Sequence, residues 1–206
     1  MTRTGLSRSR ARPALLAAIL VLATGCFGRP SPRERTFRLE LAPPARLAAP
    51  LLSGILEVDR LRAHALARRT ALVTVFDAST PELRTRSSEH WADSPTLLLQ
   101  REMTAWLDAA GIADRVLTPE LGIAPDLRLM GELVRFEERR GEGGPRVLVE
   151  LALVLSDERR REVLLQASYR EERAAQGPDA VDAVRAYDAA LSDILARFVA
   201  DVAGRP

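Results

Sequence analysis

The sequence predicts an α+β fold in which a mostly antiparallel sheet carries two amphipathic helices within one domain, residues 36–206. The first observation is a group of three apolar segments, 127–136, 147–155 and 163–169, which alternate with polar residues and are joined by short loops. The second is a pair of longer segments whose apolar residues recur at three- and four-residue steps. These two periods indicate strands and helices that share one core.

Four short strands are predicted before the first helix. β-branched, leucine and aromatic residues favour strands at 37–41, 55–61 and 71–76, with a weak fourth strand at 83–85. The period then changes to that of a helix.

The first helix begins at Ser94 and Pro95 and ends at Gly111. A serine hydroxyl suits the cap position, and proline suits the first turn because no carbonyl partner is needed for its missing N–H there. One stripe of this helix is apolar, and we expect it to be core rather than a cofactor contact: Leu99, Met103, Trp106, Leu107 and Ala110.

A short edge strand is predicted at 114–117, followed by the three alternating segments as an antiparallel meander. Gly131 blurs the alternation of the first of them, which predicts a bulge there. In the second segment, Val147, Val149, Leu151, Leu153 and Leu155 share one face, and Glu150 lies on the other.

The last helix opens at Pro178 and Asp179 and is expected to lie across the sheet. Its apolar positions fall on one stripe: Val181, Val184, Tyr187, Leu191, Ile194, Leu195, Phe198 and Val202.

The amino terminus has the pattern of a secretory signal peptide, residues 1–25. Four arginines precede an apolar run that is too short to span a bilayer comfortably. The run ends in Ala23-Thr24-Gly25-Cys26, which resembles the lipobox of bacterial lipoproteins, although Leu22 lies one position earlier, farther from the cysteine, than the usual leucine. We expect acyl chains such as palmitate on Cys26, which would hold the protein on a membrane.

Residues 26–35 are polar and proline-bearing and predict a tether of about 33 Å at most. In proteobacterial lipoproteins an aspartate after the acylated cysteine typically retains the protein in the inner membrane. Phe27 occupies that position here, so this rule implies export to the periplasmic face of the outer membrane.

Charge and cysteine content exclude several classes of protein. The first 25 residues carry four arginines and no acidic residue, which leaves 26 basic and 28 acidic residues in the remainder. A near-neutral surface does not predict nucleic-acid binding. Since Cys26 is the one cysteine, the chain forms no internal disulfide, and stability must come from a packed core.

No catalytic or metal-binding pattern is present, so we expect neither an enzyme nor a bound cofactor or metal. His64 and His90 each stand alone and are interpreted as surface residues. The glycines at 141–144 suit a hairpin loop rather than a phosphate site. The acidic pairs at 137–138 and 171–172 sit beside arginines and are interpreted as solvated charge.

The order of features resembles the ABC-type transport auxiliary lipoproteins, the PqiC-like partners of MCE-protein lipid transporters. The resemblance is carried by the lipobox, the tether, the segment 56–61, the element His90-Trp91-Ala92-Asp93-Ser94-Pro95 that opens a leucine-rich helix, the meander and the last helix. It implies a non-catalytic role beside an MCE-domain protein, an ABC permease and its ATPase in phospholipid transport. A homo-oligomeric ring at the end of the lipid conduit fits this role.

Trp91 and Pro95 are the candidate contact residues. Trp91 either fixes the sheet edge and the helix entry, or is an exposed anchor for a partner or lipid, since tryptophan is enriched at interfaces. The residues 86–89 are polar where family members often carry aromatic residues.

An alternative function is that of a lipopolysaccharide-assembly or other outer-membrane assembly lipoprotein; a lipid-anchored hydrolase is a third class.

Overall fold

The computed structural model describes residues 33–64, 68–76 and 82–205, and the chain from Glu34 onward forms one compact unit. The predicted signal peptide and Cys26 lie outside the described residues. The strands are β1 Arg35–Phe37, β2 Leu52–Val58, β3 Arg62–Ala63, β4 Ala71–Val75, β5 Leu83–Trp91, β6 Ala113–Leu117, β7 Leu127–Arg139, β8 Arg146–Asp157 and β9 Glu162–Ala174, and the helices are α1 Pro95–Ala110 and α2 Ala180–Ala203.

Strand β7 organises the sheet. On one side it pairs antiparallel with β8, which pairs antiparallel with β9, so the predicted meander is confirmed. On its other side β7 pairs in parallel with β2 at its start, with β3 at its middle and with β4 at its end. The sheet therefore divides into two branches beyond β7, one through β2 to β6 and one through β4 and β5 to β1.

The α+β class with two helices is confirmed, but the prediction of a mostly antiparallel sheet is wrong because the sheet is mixed. Among the described strands, β1 with β5 and β2 with β6 are parallel as well. Short loops reveal antiparallel neighbours in a sequence, whereas parallel partners are joined by long crossovers that leave no local signal.

The core lies between the two helices and one face of the sheet. The five apolar positions of β8 predicted to share a face are all buried, as is the predicted stripe of α1. The stripe of α2 is buried except for Val181, which is half-buried. No helix in the described ranges is both long and apolar enough to cross a membrane.

Two local predictions are corrected. The Ser94 hydroxyl accepts no bond from its helix and instead accepts one from the Arg60 guanidinium, at 2.6 Å. The bulge of β7 lies between Leu133 and Arg135 rather than at Gly131. Gly131 is required for another reason, since a Cβ there would be 2.1 Å from the Ala152 carbonyl oxygen.

The fourth predicted strand is longer than expected. Instead of 83–85 it runs as β5 to Trp91, because β4 supplies an antiparallel partner on one side and β1 a parallel one on the other. The polar segment 86–89 is thus part of a strand, and its side chains are held in defined positions.

Candidate functional site

Trp91 and Pro95, the candidate contact residues, are both buried. Trp91 is 3% exposed and its ring lies 5.4 Å from that of Phe136 and 5.5 Å from that of Tyr187, centroid to centroid. Pro95 is buried in the first turn of α1. Of the two roles considered for Trp91, its position fits the structural one: it joins β5 to β7 and α2 inside the core.

A charged cluster lies next to these aromatic rings at the end of β7. Glu138 is 1% exposed, and its carboxylate accepts bonds from the Thr74 hydroxyl at 3.1 Å and from the Arg140 guanidinium at 2.9 Å. The Arg86 guanidinium donates to the same carboxylate at 2.6 Å and to Glu89 at 2.5 Å. The interpretation of Glu138 as solvated charge is therefore wrong.

The same applies to Glu137, which is buried and bonded to the Arg139 guanidinium at 3.0 Å. The other acidic pair is more exposed: Glu171 bonds Arg197, and Glu172 bonds Arg146. One signal for Glu138 exists in the sequence. Once a bulge shifts the alternation of β7, Glu138 follows Phe136 on the same face as the core residues.

The pKa values of Arg86 in the cluster and of the neighbouring Tyr187 are both raised. Burial alone would lower the pKa of Arg86, but its hydrogen bonds to Glu89 and Glu138 outweigh burial and raise that pKa. Burial, with the nearby charges of Glu138 and Glu137, raises the pKa of Tyr187 well above its ordinary value. Arg86 therefore stays charged and the Tyr187 phenol stays neutral.

The chain enters the folded domain beside this cluster. The Arg35 guanidinium donates to both carboxylate oxygens of Asp179 at 2.9 Å, and to Glu89 at 3.2 Å. The bond to Arg35 lowers the pKa of Asp179 to about 2, and Asp179 also caps α2 by accepting from the Val181 N–H. The start of the described chain is thereby fixed to the amino-terminal end of α2.

A groove of about 460 Å³ opens at this point, and we call it the tether-side groove. One of its walls holds Phe76, which is 43% exposed, with the guanidinium carbons of Arg84 and Arg140 at 5.3 Å and 5.9 Å from its ring centre. The lining residues are Thr74, Phe76, Arg84, Thr85, Arg86, Ser87, Ser88, Glu89, Arg140 and Pro178.

The opposite end of β7 carries a second exposed apolar feature, the far loop, residues 119–124. Its Leu121 is 63% exposed and its Ile123 is 46% exposed. The loop connects β6 to the first residue of β7, whereas the tether-side groove lies at the last residues of β7. At about 3.3 Å per residue, the 13 residues of β7 separate the two ends by about 40 Å along the strand.

Neither histidine lines the tether-side groove or belongs to the far loop. His64 is exposed and close to Glu132, with its Nε2 at 3.3 Å from the carboxylate, and His90 is half-buried in β5. Within the described ranges, no three side chains of histidine, cysteine, aspartate or glutamate come together as metal ligands would.

Asp188 in α2 is an acidic residue whose protonation makes the stability of the fold depend on pH. Burial raises the pKa of Asp188 to about 6, assisted by the charges of Glu102 and Glu40 and opposed by the bond from the Glu40 N–H at 2.9 Å. The folded state therefore holds this proton more tightly than the unfolded chain, so the contribution to stability falls as pH rises from about 4 to about 6.

Asp188→Asn should accordingly raise the free energy of unfolding at pH 8 by about 1 kcal/mol, after allowing for solvent screening of a half-buried group. The gain should vanish near pH 4, where the carboxyl is protonated in the folded state. Urea unfolding at both pH values checks this, with Glu142→Gln in the exposed turn after β7 as control. A gain of equal size at both pH values would contradict the proposed origin.

The chain was compared with known families, curated proteins and solved structures. A family model described as "ABC-type transport auxiliary lipoprotein component" matches residues 37–200. The chain belongs to this family. Membership associates this auxiliary lipoprotein with an ABC-type transporter and with the cell envelope. No curated protein matched the chain.

Two solved structures share the fold of the auxiliary lipoprotein. Protein XCC0632 from Xanthomonas campestris, of the DUF330 family, aligns with a TM-score of 0.69 and 18% identity over 80% of this chain and 92% of its own. A structure described as an uncharacterized protein aligns with a TM-score of 0.66 and 12% identity over 83% of this chain and 99% of its own. At these identities the likeness concerns the fold alone.

Proposed function

We propose that the protein is a lipid-anchored, non-catalytic auxiliary subunit of an MCE-type lipid transport system on the periplasmic face of the outer membrane. The observation that carries the proposal is the family match over residues 37–200. The lipobox at Cys26 and the residue after it, Phe27, add the anchor and its address. The MCE-domain protein, its ABC permease and its ATPase would supply the conduit and the energy.

The charged cluster supports a structural rather than a catalytic role. All the donors around Glu138 come from within the domain, and both Arg86 and Arg140 also bond the Pro178 carbonyl oxygen, at 3.4 Å and 2.6 Å. The cluster therefore connects the end of β7 to the segment just before α2 through hydrogen bonds to Glu138 and Pro178.

Cys26→Ala tests the anchor. We expect the variant in the soluble periplasmic fraction and the wild type in the outer-membrane fraction, since without acyl chains the compact domain has too little apolar surface to remain bound. Fractionation after a salt wash measures this. A Cys26→Ala protein that stays with washed membranes would contradict a lipid anchor, and Cys26→Ser is the matched control for side-chain size.

Copurification separates this function from the alternative. The detergent-extracted wild-type protein should retain an MCE-domain protein after crosslinking in cells, and a strain lacking the gene should become sensitive to detergents with a normal lipopolysaccharide layer. Recovery of a lipopolysaccharide-assembly barrel, together with loss of surface lipopolysaccharide, would support the assembly lipoprotein instead. The mass of the purified complex would report whether the subunit forms a ring.

A further inference from the structure

The end of the β4–β5 pair exposes two large apolar side chains next to the tether-side groove. Phe76 follows the last residue of β4, and Leu83, which is 44% exposed, is the first residue of β5 and pairs with Val75. Phe76 lines the groove, while Leu83 does not. We call these two residues the β4–β5 tip.

Two arginine side chains lie beside Phe76 at the tip. Arg84 and Arg140 both place their guanidiniums near the Phe76 ring, and the side chain of Arg84 is 58% exposed. Its ion pair with Glu82 is at the surface and contributes little to holding it in place. An aromatic ring flanked by arginines suits a membrane interface, because the ring occupies the headgroup level while guanidiniums bind phosphate.

The tether brings the same end of the domain to the membrane. Arg35 is bonded to Glu89 and Asp179, and Glu89 and Pro178 line the groove that also contains Phe76. Arg35 is nine Cα–Cα steps from Cys26, which is about 30 Å when fully extended. The β4–β5 tip is therefore within reach of a membrane that holds Cys26.

The far loop is less favourably placed for the same membrane. It lies about 40 Å along β7 from the groove, a separation that exceeds the extended tether. Of the tip and the far loop, the tip is the one that lies beside the end of the tether, and it carries the exposed Arg84.

We propose that the β4–β5 tip lies on the phospholipid surface, with Phe76 and Leu83 at the boundary between headgroups and acyl chains and with the exposed guanidinium of Arg84 among the phosphates. The proposal rests on the lipid anchor of the proposed function. Two apolar side chains bury too little area to bind a membrane alone, but the anchor makes their insertion an intramolecular step. The far loop would then point away from the membrane, toward the transport partner.

Fluorescence quenching tests this orientation. The full-length lipidated protein is reconstituted into vesicles of phosphatidylethanolamine and phosphatidylglycerol that contain brominated phosphatidylcholine. Phe76→Trp places a tryptophan at the tip, and Leu121→Trp places one at the far loop; the emission of Trp91 and Trp106 is subtracted with the unsubstituted protein. Bromine should remove at least about twice as large a fraction of the added emission from Phe76→Trp as from Leu121→Trp, since quenching requires contact with the acyl region.

Vesicle flotation separates failure of this proposal from failure of the proposed function. Protein that floats but is quenched equally at both positions, or more strongly at the far loop, would overturn the orientation and leave the anchor intact. Protein that does not float overturns the anchor and the orientation together. Leu83→Trp provides a second probe of the tip, and each variant is used only when its unfolding midpoint matches that of the parent.

Discussion

Glu138→Gln is expected to lower the free energy of unfolding by about 3 kcal/mol, because it breaks a buried ion pair and leaves two guanidiniums without their shared carboxylate. The value is at the lower end of the range for such pairs since Arg86 keeps its bond to Glu89. Urea unfolding at pH 7 measures the change.

Glu172→Gln is the matched control. Glu172 is also a strand glutamate paired with an arginine, Arg146 at 3.4 Å, but the pair is exposed on β9. We expect a change below about 0.5 kcal/mol for this variant. Equal losses for the two variants would show that Glu138 is not held in a desolvated network. The double variant Arg86→Met with Glu138→Leu should recover part of the loss, because it removes both charges from the core.

Trp91→Ala is expected to cost about 3–5 kcal/mol, because it removes a large side chain that is 3% exposed and packed against Phe136 and Tyr187. Thermal unfolding followed by circular dichroism measures the loss. This variant decides between the two roles considered for Trp91, since an anchor residue would lose partner or lipid binding with little change in stability.

Phe76→Ala serves as the control for this prediction. It also removes an aromatic ring, but one that is 43% exposed, so we expect a loss below about 1 kcal/mol. Similar losses for the two variants would indicate that the aromatic cluster around Trp91 contributes less to the core than its burial implies.

Much of the fold follows from local patterns in the sequence. The period of the apolar residues predicted both helices, and Pro95 and Gly111 marked the first and last turns of α1. The short loops around Gly141 and Arg159 predicted the β7–β8–β9 meander. These features depend on residues close in the chain, whose geometry is set by the backbone and by nearest neighbours.

The candidate site could not be predicted in the same way. Thr74, Arg86, Glu138 and Pro178 come from four separate segments, and they meet because β4 and β5 form a branch beside the end of β7. Glu137-Glu138 beside Arg139-Arg140 is typical of a solvated turn when it is considered alone. Burial reversed that interpretation, because a desolvated carboxylate requires partners that only distant strands supply.

The sequence by itself determined the α+β class, the two amphipathic helices, the meander and the family resemblance, because each is encoded by spacing and by short motifs. The tertiary structure decided which strands are parallel partners of β7, that Trp91 is inside and Phe76 outside, and that Arg35 and the buried charges share one end of the domain. Long crossovers and desolvation act between residues far apart in the chain, so their outcome depends on the complete packing of the domain.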